Sequence, residues 1–246
     1  MTTAFQSLTS TVKVEYGYVT GSGFVIETGL HPEKKIRYYK VLTCAHVVES
    51  PPGAYVGSPI VVFSDKGEKT RLGGKILKIN TESDLALIEV WQSDDELRYL
   101  PFKIAPNDDN VKYFSDVILV SYPQGLGPIA TRGMISGIDV LPWDEDGLVA
   151  TSQSAPGSSG GPLVATETGE VIGVLRAVLR RSGEPGVLNW FSILVPPKEI
   201  RNFLSSDQIK LPGGISLEPG ADRGTPSAKE IFIFTPFGSL EEVLQE

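Results

Sequence analysis

The chain has 246 residues, of which 41% are hydrophobic and 21% charged, enough apolar material for one large core or two of roughly 100 residues each. Its net charge of −8 argues against a nucleic-acid surface, which needs clustered Lys and Arg; the basic groups here, Lys34, Lys35 and Arg37 and then Arg176, Arg180 and Arg181, are small. The 26 glycines and 18 prolines favour many strands joined by tight turns over a helix bundle.

In chain order, residues 1–23 lack the basic segment followed by an apolar run that marks an export signal, and no apolar stretch is long enough to span a membrane. The single cysteine, Cys44, cannot form an intrachain disulfide. These features predict a cytoplasmic protein in a reducing compartment, with no membrane partner. Apolar segments bounded by turn residues predict strands over 18–27, 38–43, 60–63, 74–79 and 85–90. After a polar stretch at 101–110, a second set is predicted over 117–121, 131–140, 149–153, 162–166, 171–178 and 188–195. About six strands on each side of one linker predict an all-β chain of two six-stranded antiparallel barrels, residues 1–105 and 106–208. Pro197, Ile200, Phe203 and Leu204 have helical spacing and predict a short helix closing the second barrel. Residues 209–246 read as a linker and tail, in which 230–235 alternates like a strand and Ser239 with Glu242 forms a capping box.

The chemistry concentrates in SAPGSSGGPLV, residues 154–164. Amide hydrolysis needs a nucleophile beside donors for the oxyanion, and a glycine-flanked turn lets backbone N–H groups point inward without side-chain clashes. Ser159 is the candidate nucleophile, with the N–H groups of Gly157 and Ser159 as the oxyanion hole. GSSGG also fits the nucleophile elbow of α/β-hydrolases, but that fold places its histidine after the serine, and the only histidines, His31 and His46, both precede Ser159. No aspartate precedes His46, so an Asp, His, Ser order fails too, leaving His, Asp, Ser. His31 lies in the polar LHPEKK segment, whereas His46 ends an apolar strand, so His46 is the candidate base. Among carboxylates between the two, Asp84 heads the apolar strand SDLALIEV; Asp116 and Asp139 adjoin strands and compete with it, while Asp65, Asp94, Asp95, Asp108, Asp109, Asp144 and Asp146 sit in charged or turn segments. Cys44 reads as a buried packing residue, and two histidines with one cysteine make no zinc site of sensible spacing. No cofactor motif is present.

GSGFVI (21–26), VLTCAHVV (41–48), SDLALIEV (83–90) and the serine segment occur in the order used by trypsin-like, chymotrypsin-fold serine proteases, and the chain resembles that family. The segments 122–138, 169–175 and 189–197 are similar to the HtrA/DegP-type protease domain. The resemblance covers residues 17–205 and implies a double β-barrel with a triad of His46, Asp84 and Ser159 in the cleft between barrels. It does not imply activation by N-terminal cleavage, because Ser158 stands where secreted relatives often carry an aspartate. Residues 209–246 are too few for the PDZ domain that HtrA proteins usually carry. Arg176 departs from the small polar residue usual in relatives near the catalytic aspartate.

The expected activity is that of a serine endopeptidase acting on protein or peptide substrates. Its primary pocket is expected from Gln153, Ser154 and Ala155 with Leu175, Arg176, Ala177 and Val178; these include no acid, which predicts small or aliphatic residues before the cut. Two other readings are a regulated effector protease dedicated to one partner, and a silent protease-like binding module whose C-terminal tail docks a partner protein.

Overall fold

The computed structural model describes residues 8–31, 36–49, 57–65, 67–93, 99–140, 147–180 and 187–206. The predicted features of the tail beyond 206 lie outside the described residues, as do Asp94, Asp95, Asp144 and Asp146.

The first barrel comprises β1 (Thr11–Tyr16), β2 (Val19–Leu30), β3 (Arg37–Thr43), β4 (Ile60–Asp65), β5 (Glu68–Asn80) and β6 (Leu85–Gln92). It closes in the order β1-β2-β3-β6-β5-β4, with Val14 opposite Val61 at the seam. The second comprises β7 (Asp116–Ser121), β8 (Ile129–Ile138), β9 (Leu148–Ala150), β10 (Pro162–Ala165), β11 (Val171–Arg180) and β12 (Val187–Val195), closed by β10 against β7. Its ring order repeats that of the first barrel strand for strand, although the sequence carries no visible repeat. Closure leaves no unpaired edge, which suits a chain with short strands and many turns.

The all-β expectation therefore holds, with two differences. The first is β1, whose sequence TVKVEY buries Val12 and Val14 in alternation and supplies the sixth strand of its barrel. The second is the helix Pro197–Ser205, α2 of this chain after the one-turn α1 (Ala45–Val48). It does not simply close the second barrel. Its Ile200 and Phe203 join a core cluster continuous with the first barrel and with Val164, Val171, Val174 and Val195 of the second. Lys78 of β5, almost fully buried, donates to the carbonyl oxygens of Phe203 and Ser206 at the helix C-terminus. A cation there offsets the unpaired last-turn carbonyls and the negative end of the helix dipole, so the helix straps the two barrels together.

The first core is anchored by Tyr39, Phe63 and Tyr99, with ring centroids 4.3 to 5.7 Å apart. The second is aliphatic and includes Leu119, Ile135, Leu148, Leu163, Leu175 and Leu194.

Candidate active site

Strand β3 ends at Thr43, and Cys44 precedes the single turn α1, which carries His46. Because β3 pairs antiparallel with β6, Thr43 opposite Ala86, the end of one strand lies beside the start of the other. Asp84 sits just ahead of β6 with φ +52°, a left-handed conformation that an aspartate tolerates better than most side chains. The turn leading to it is held by Asn80, whose side-chain oxygen accepts from the N–H groups of Glu82 and Ser83 at 2.9 and 3.2 Å.

The Asp84 carboxylate meets both ends of His46. Oδ1 accepts from the His46 backbone N–H at 3.0 Å, and Oδ2 lies 2.8 Å from the ring Nδ1. The Asp84 backbone carbonyl also accepts from Ala45 N–H at 3.2 Å, so three contacts lock the turn to Asp84. A carboxylate only accepts, so Nδ1 carries the proton and Nε2 presents a lone pair. The two side chains are each 18% exposed. The rival Asp116 is exposed and engaged by Arg132 at 2.8 Å, and Asp139 is exposed in a left-handed turn of its own.

Ser159 lies in the turn between β9 and β10 and is 2% exposed. The carbonyls of the two neighbouring peptides are tied down: Pro156 O accepts from Gln124 N–H at 2.6 Å, and Ser158 O from Gly161 N–H at 3.0 Å. In a trans peptide the N–H points opposite the carbonyl, so these bonds aim the N–H groups of Gly157 and Ser159 the other way. Neither amide finds a carbonyl among the described residues, whereas those of Ser158, Gly160 and Gly161 all do. Gly157 has φ +92°, and a Cβ there would stand 2.6 Å from Tyr122 O, so only glycine fits. The Ser158 hydroxyl is buried and bound by Ser121 Oγ at 3.0 Å and Ala155 N–H at 3.2 Å. It holds the turn from inside without a charge.

The first barrel grips this turn through Ser22. Its N–H donates to Ser159 O at 2.7 Å, its hydroxyl donates to Gly157 O at 2.7 Å and accepts from Tyr122 N–H at 2.8 Å, and its carbonyl accepts from Thr43 Oγ1 at 2.6 Å. Ser22, Thr43, Ser121 and Tyr122 escaped sequence reasoning; the available signal was that Ser22, Thr43 and Tyr122 lie inside the quoted segments 21–26, 41–48 and 122–138.

His46 Nε2 and Ser159 Oγ are both shielded from solvent and without a hydrogen-bond partner. Buried polar atoms are seldom left so, and an unpaired base and hydroxyl are what a proton-transfer site keeps ready.

Cys44 is fully buried and donates its thiol to Leu175 O at 3.1 Å. Burial, with the Asp84 carboxylate beside it, pushes the thiol well above the ordinary range. It is accordingly a poor nucleophile and a reluctant metal ligand, although its sulfur and the ligand atoms of His46 and Asp84 lie within 4.8 Å of one another.

Of the expected pocket residues, Gln153 is exposed and Ala155 half-buried, while Ser154 is buried and bound by Ser192 Oγ at 3.1 Å. The side chain of Leu175 belongs to the second core, and Ala177 packs with Val149 and Ile193. Neither presents its side chain as Gln153 does. Arg176 stands at the bulge between Leu175 and Ala177, and both it and Val178 are half-buried.

Residues 21–174 match the family model described as a trypsin-like peptidase domain. The chain is 28% identical over 189 residues to the magnetosome formation protease MamE of Paramagnetospirillum magneticum, covering 75% of this chain and 24% of that protein. It is likewise 28% identical over 170 residues to the peroxisomal leader peptide-processing protease of Mus musculus, covering 69% of this chain and 27% of that one. It thus spans about a quarter of the length of these relatives. Among solved structures, the HtrA-type protease AlgW with a tripeptide superimposes with a TM-score of 0.62 at 20% identity, over 82% of this chain and 61% of that one. Rv3671c from M. tuberculosis H37Rv, in an inactive form, gives a TM-score of 0.60 at 21% identity over 82% and 88%. At such identities the two structures speak for a common fold.

Proposed function

Because this chain belongs to the trypsin-like peptidase family, we propose that it is a serine endopeptidase whose nucleophile, base and orienting carboxylate are Ser159, His46 and Asp84. The observation that carries this reading is the His46 ring held by Asp84 through Nδ1 while its Nε2 and the Ser159 hydroxyl stay buried and unpaired.

In the proposed cycle a peptide carbonyl enters beside the serine turn. Nε2 takes the hydroxyl proton as Oγ forms its bond to the carbonyl carbon. The carbonyl oxygen becomes the oxyanion and is received by the N–H groups of Gly157 and Ser159, whose orientation is set by bonds made before substrate arrives. Asp84 holds the tautomer and stabilises the imidazolium. His46 then gives its proton to the departing amine as the C–N bond breaks, leaving the acyl group on Ser159. A water, deprotonated by the same Nε2, attacks the ester and releases the acid and the free serine.

Preferred residues before the cut are small or aliphatic, since the residues expected to line the pocket include no acid to pair with Lys or Arg. A fluorophosphonate probe should label the wild-type protein at Ser159 and leave Ser159→Ala unlabelled. Equal labelling of the two proteins refutes the assignment.

A further inference from the structure

His46 follows a strand of the first barrel and Ser159 lies in a turn of the second, and a short piece of β2 touches both. A Cβ at Gly21 would stand 2.5 Å from the side chain of Val47, the residue after His46, and 3.1 Å from Ser159 O. Glycine thus lets the turn of the base and the turn of the serine close on one stretch of backbone. The next residue, Ser22, holds the serine turn with its N–H at Ser159 O and its hydroxyl at Gly157 O.

Ser22 is itself held by Thr43. This threonine ends β3, just ahead of the turn that carries His46, and pairs with Gly23 across the ladder. It is fully buried, and its hydroxyl donates to Ser22 O at 2.6 Å. Only the φ and ψ of Ser22 separate that carbonyl from the N–H that meets Ser159, so holding the first limits where the second can point. Gly160 passes directly over the bond: a Cβ there would stand 2.0 Å from Ser22 O and 2.5 Å from Thr43 Oγ1. So close an approach leaves no space for a water to stand in for the hydroxyl. Cys44 makes a second tie between the barrels, from its thiol to Leu175 O. A thiol is a weak donor, and Leu175 O keeps a bond from Gly160 N–H at 2.7 Å without it, so the stronger link is that of Thr43.

We propose that Thr43 is a positioning residue of the triad: its hydroxyl fixes Ser22, and through Ser22 it fixes where the Ser159 hydroxyl stands relative to His46. This rests on the serine-protease reading above. Misplacing reacting groups by about 1 Å costs on the order of a hundredfold in rate, and a Ser22 released by Thr43 shifts the serine turn by a fraction of that, so the expected loss is about tenfold.

The test is the labelling of Ser159 by a fluorophosphonate probe, followed to completion in wild type, Thr43→Val, Thr43→Ser and Thr43→Ala. It gives a rate constant at saturating probe, a half-saturating concentration and a final stoichiometry. Thr43→Val, which exchanges the hydroxyl for a methyl group, should label about tenfold more slowly at saturation, with the other two quantities unchanged, while Thr43→Ser stays within about twofold of wild type. A merely structural role has another signature, in which fewer molecules label but each does so at the wild-type rate. That result overturns the inference and leaves the protease reading intact, as do equal rates in Thr43→Val and Thr43→Ser. Should Thr43→Val not fold, Thr43→Ser and Thr43→Ala decide, since they differ by the hydroxyl alone: a slower Thr43→Ala supports the role, and equal rates overturn it. A wild type that takes no label at Ser159 would sink the serine-protease reading, and this inference with it.

Discussion

Replacing Ser22 by alanine is the sharpest probe of how the two barrels build one site. The substitution keeps the backbone bonds to Ser159 and Thr43 and deletes one hydroxyl, which is fully buried and serves two partners: Gly157 O at 2.7 Å and Tyr122 N–H at 2.8 Å. Gly157 is buried and Tyr122 is 1% exposed, so neither group regains a partner from bulk water. The space vacated by one oxygen is too small to admit a water molecule with several polar contacts. An orphaned buried donor or acceptor costs about 1–3 kcal/mol, so the pair should lower stability by about 2–5 kcal/mol. Urea unfolding followed by tryptophan fluorescence measures this directly, with the midpoint falling and the slope unchanged. The same loss frees Gly157, the proposed oxyanion donor, and kcat should fall about tenfold with little change in KM. A Ser22→Ala protein within about 0.5 kcal/mol of wild type would refute the reasoning, since such a value is typical of a surface change.

Two further outcomes follow from the same structure. Gly160 has φ +87°, and a Cβ there would stand 2.0 Å from Ser22 O and 2.5 Å from Thr43 Oγ1, so Gly160→Ala should cost at least about 3 kcal/mol; a Tm within about 2 °C of wild type would contradict this close approach. Burial alone would raise the Glu15 carboxyl, but Lys13 and Arg71 outweigh it and hold it below the ordinary 4.5. A carboxylate lowered on folding contributes stability above its unfolded value and loses it as pH falls through the folded one. Glu15→Gln should therefore be less stable than wild type at pH 7, by under about 1 kcal/mol given the partial exposure of the pair, with the deficit shrinking as pH is lowered through the acidic range. A deficit that stays constant from pH 7 into the acidic range would refute the ionic origin.

Much of the fold was legible because barrel strands announce themselves locally. Segments such as VLT before Cys44 and LALIEV after Asp84 are apolar runs between turns, and their neighbours in the ring need not be known to recognise them. The strand over 68–80 was read too short, starting at 74, because residues 68–72 include Glu68, Lys69 and Arg71 and are mostly exposed; only the ladder to β4, with Asp65 opposite Glu68, makes them a strand. Helix α2 was recognised from its spacing but assigned to one barrel. What it packs against depends on Lys78, more than a hundred residues earlier.

For the site, the sequence by itself supplied the candidates. A hydroxyl flanked by glycines and only two histidines point to Ser159 and His46, and Asp84 stands first among a short choice of carboxylates that also holds Asp116 and Asp139, because residue type and order are local properties. The tertiary structure alone decided the arrangement. It ties Asp84 to His46 across 38 residues through the β3–β6 pairing, and it has Ser22 hold the Gly157 carbonyl from 135 residues away. It also brings Arg176 and residues of the turn that carries Asp84 to one cavity. Hydrogen bonds and fields act over a few ångströms of space, and closing the barrels is what brings residues so far apart in the chain within that range.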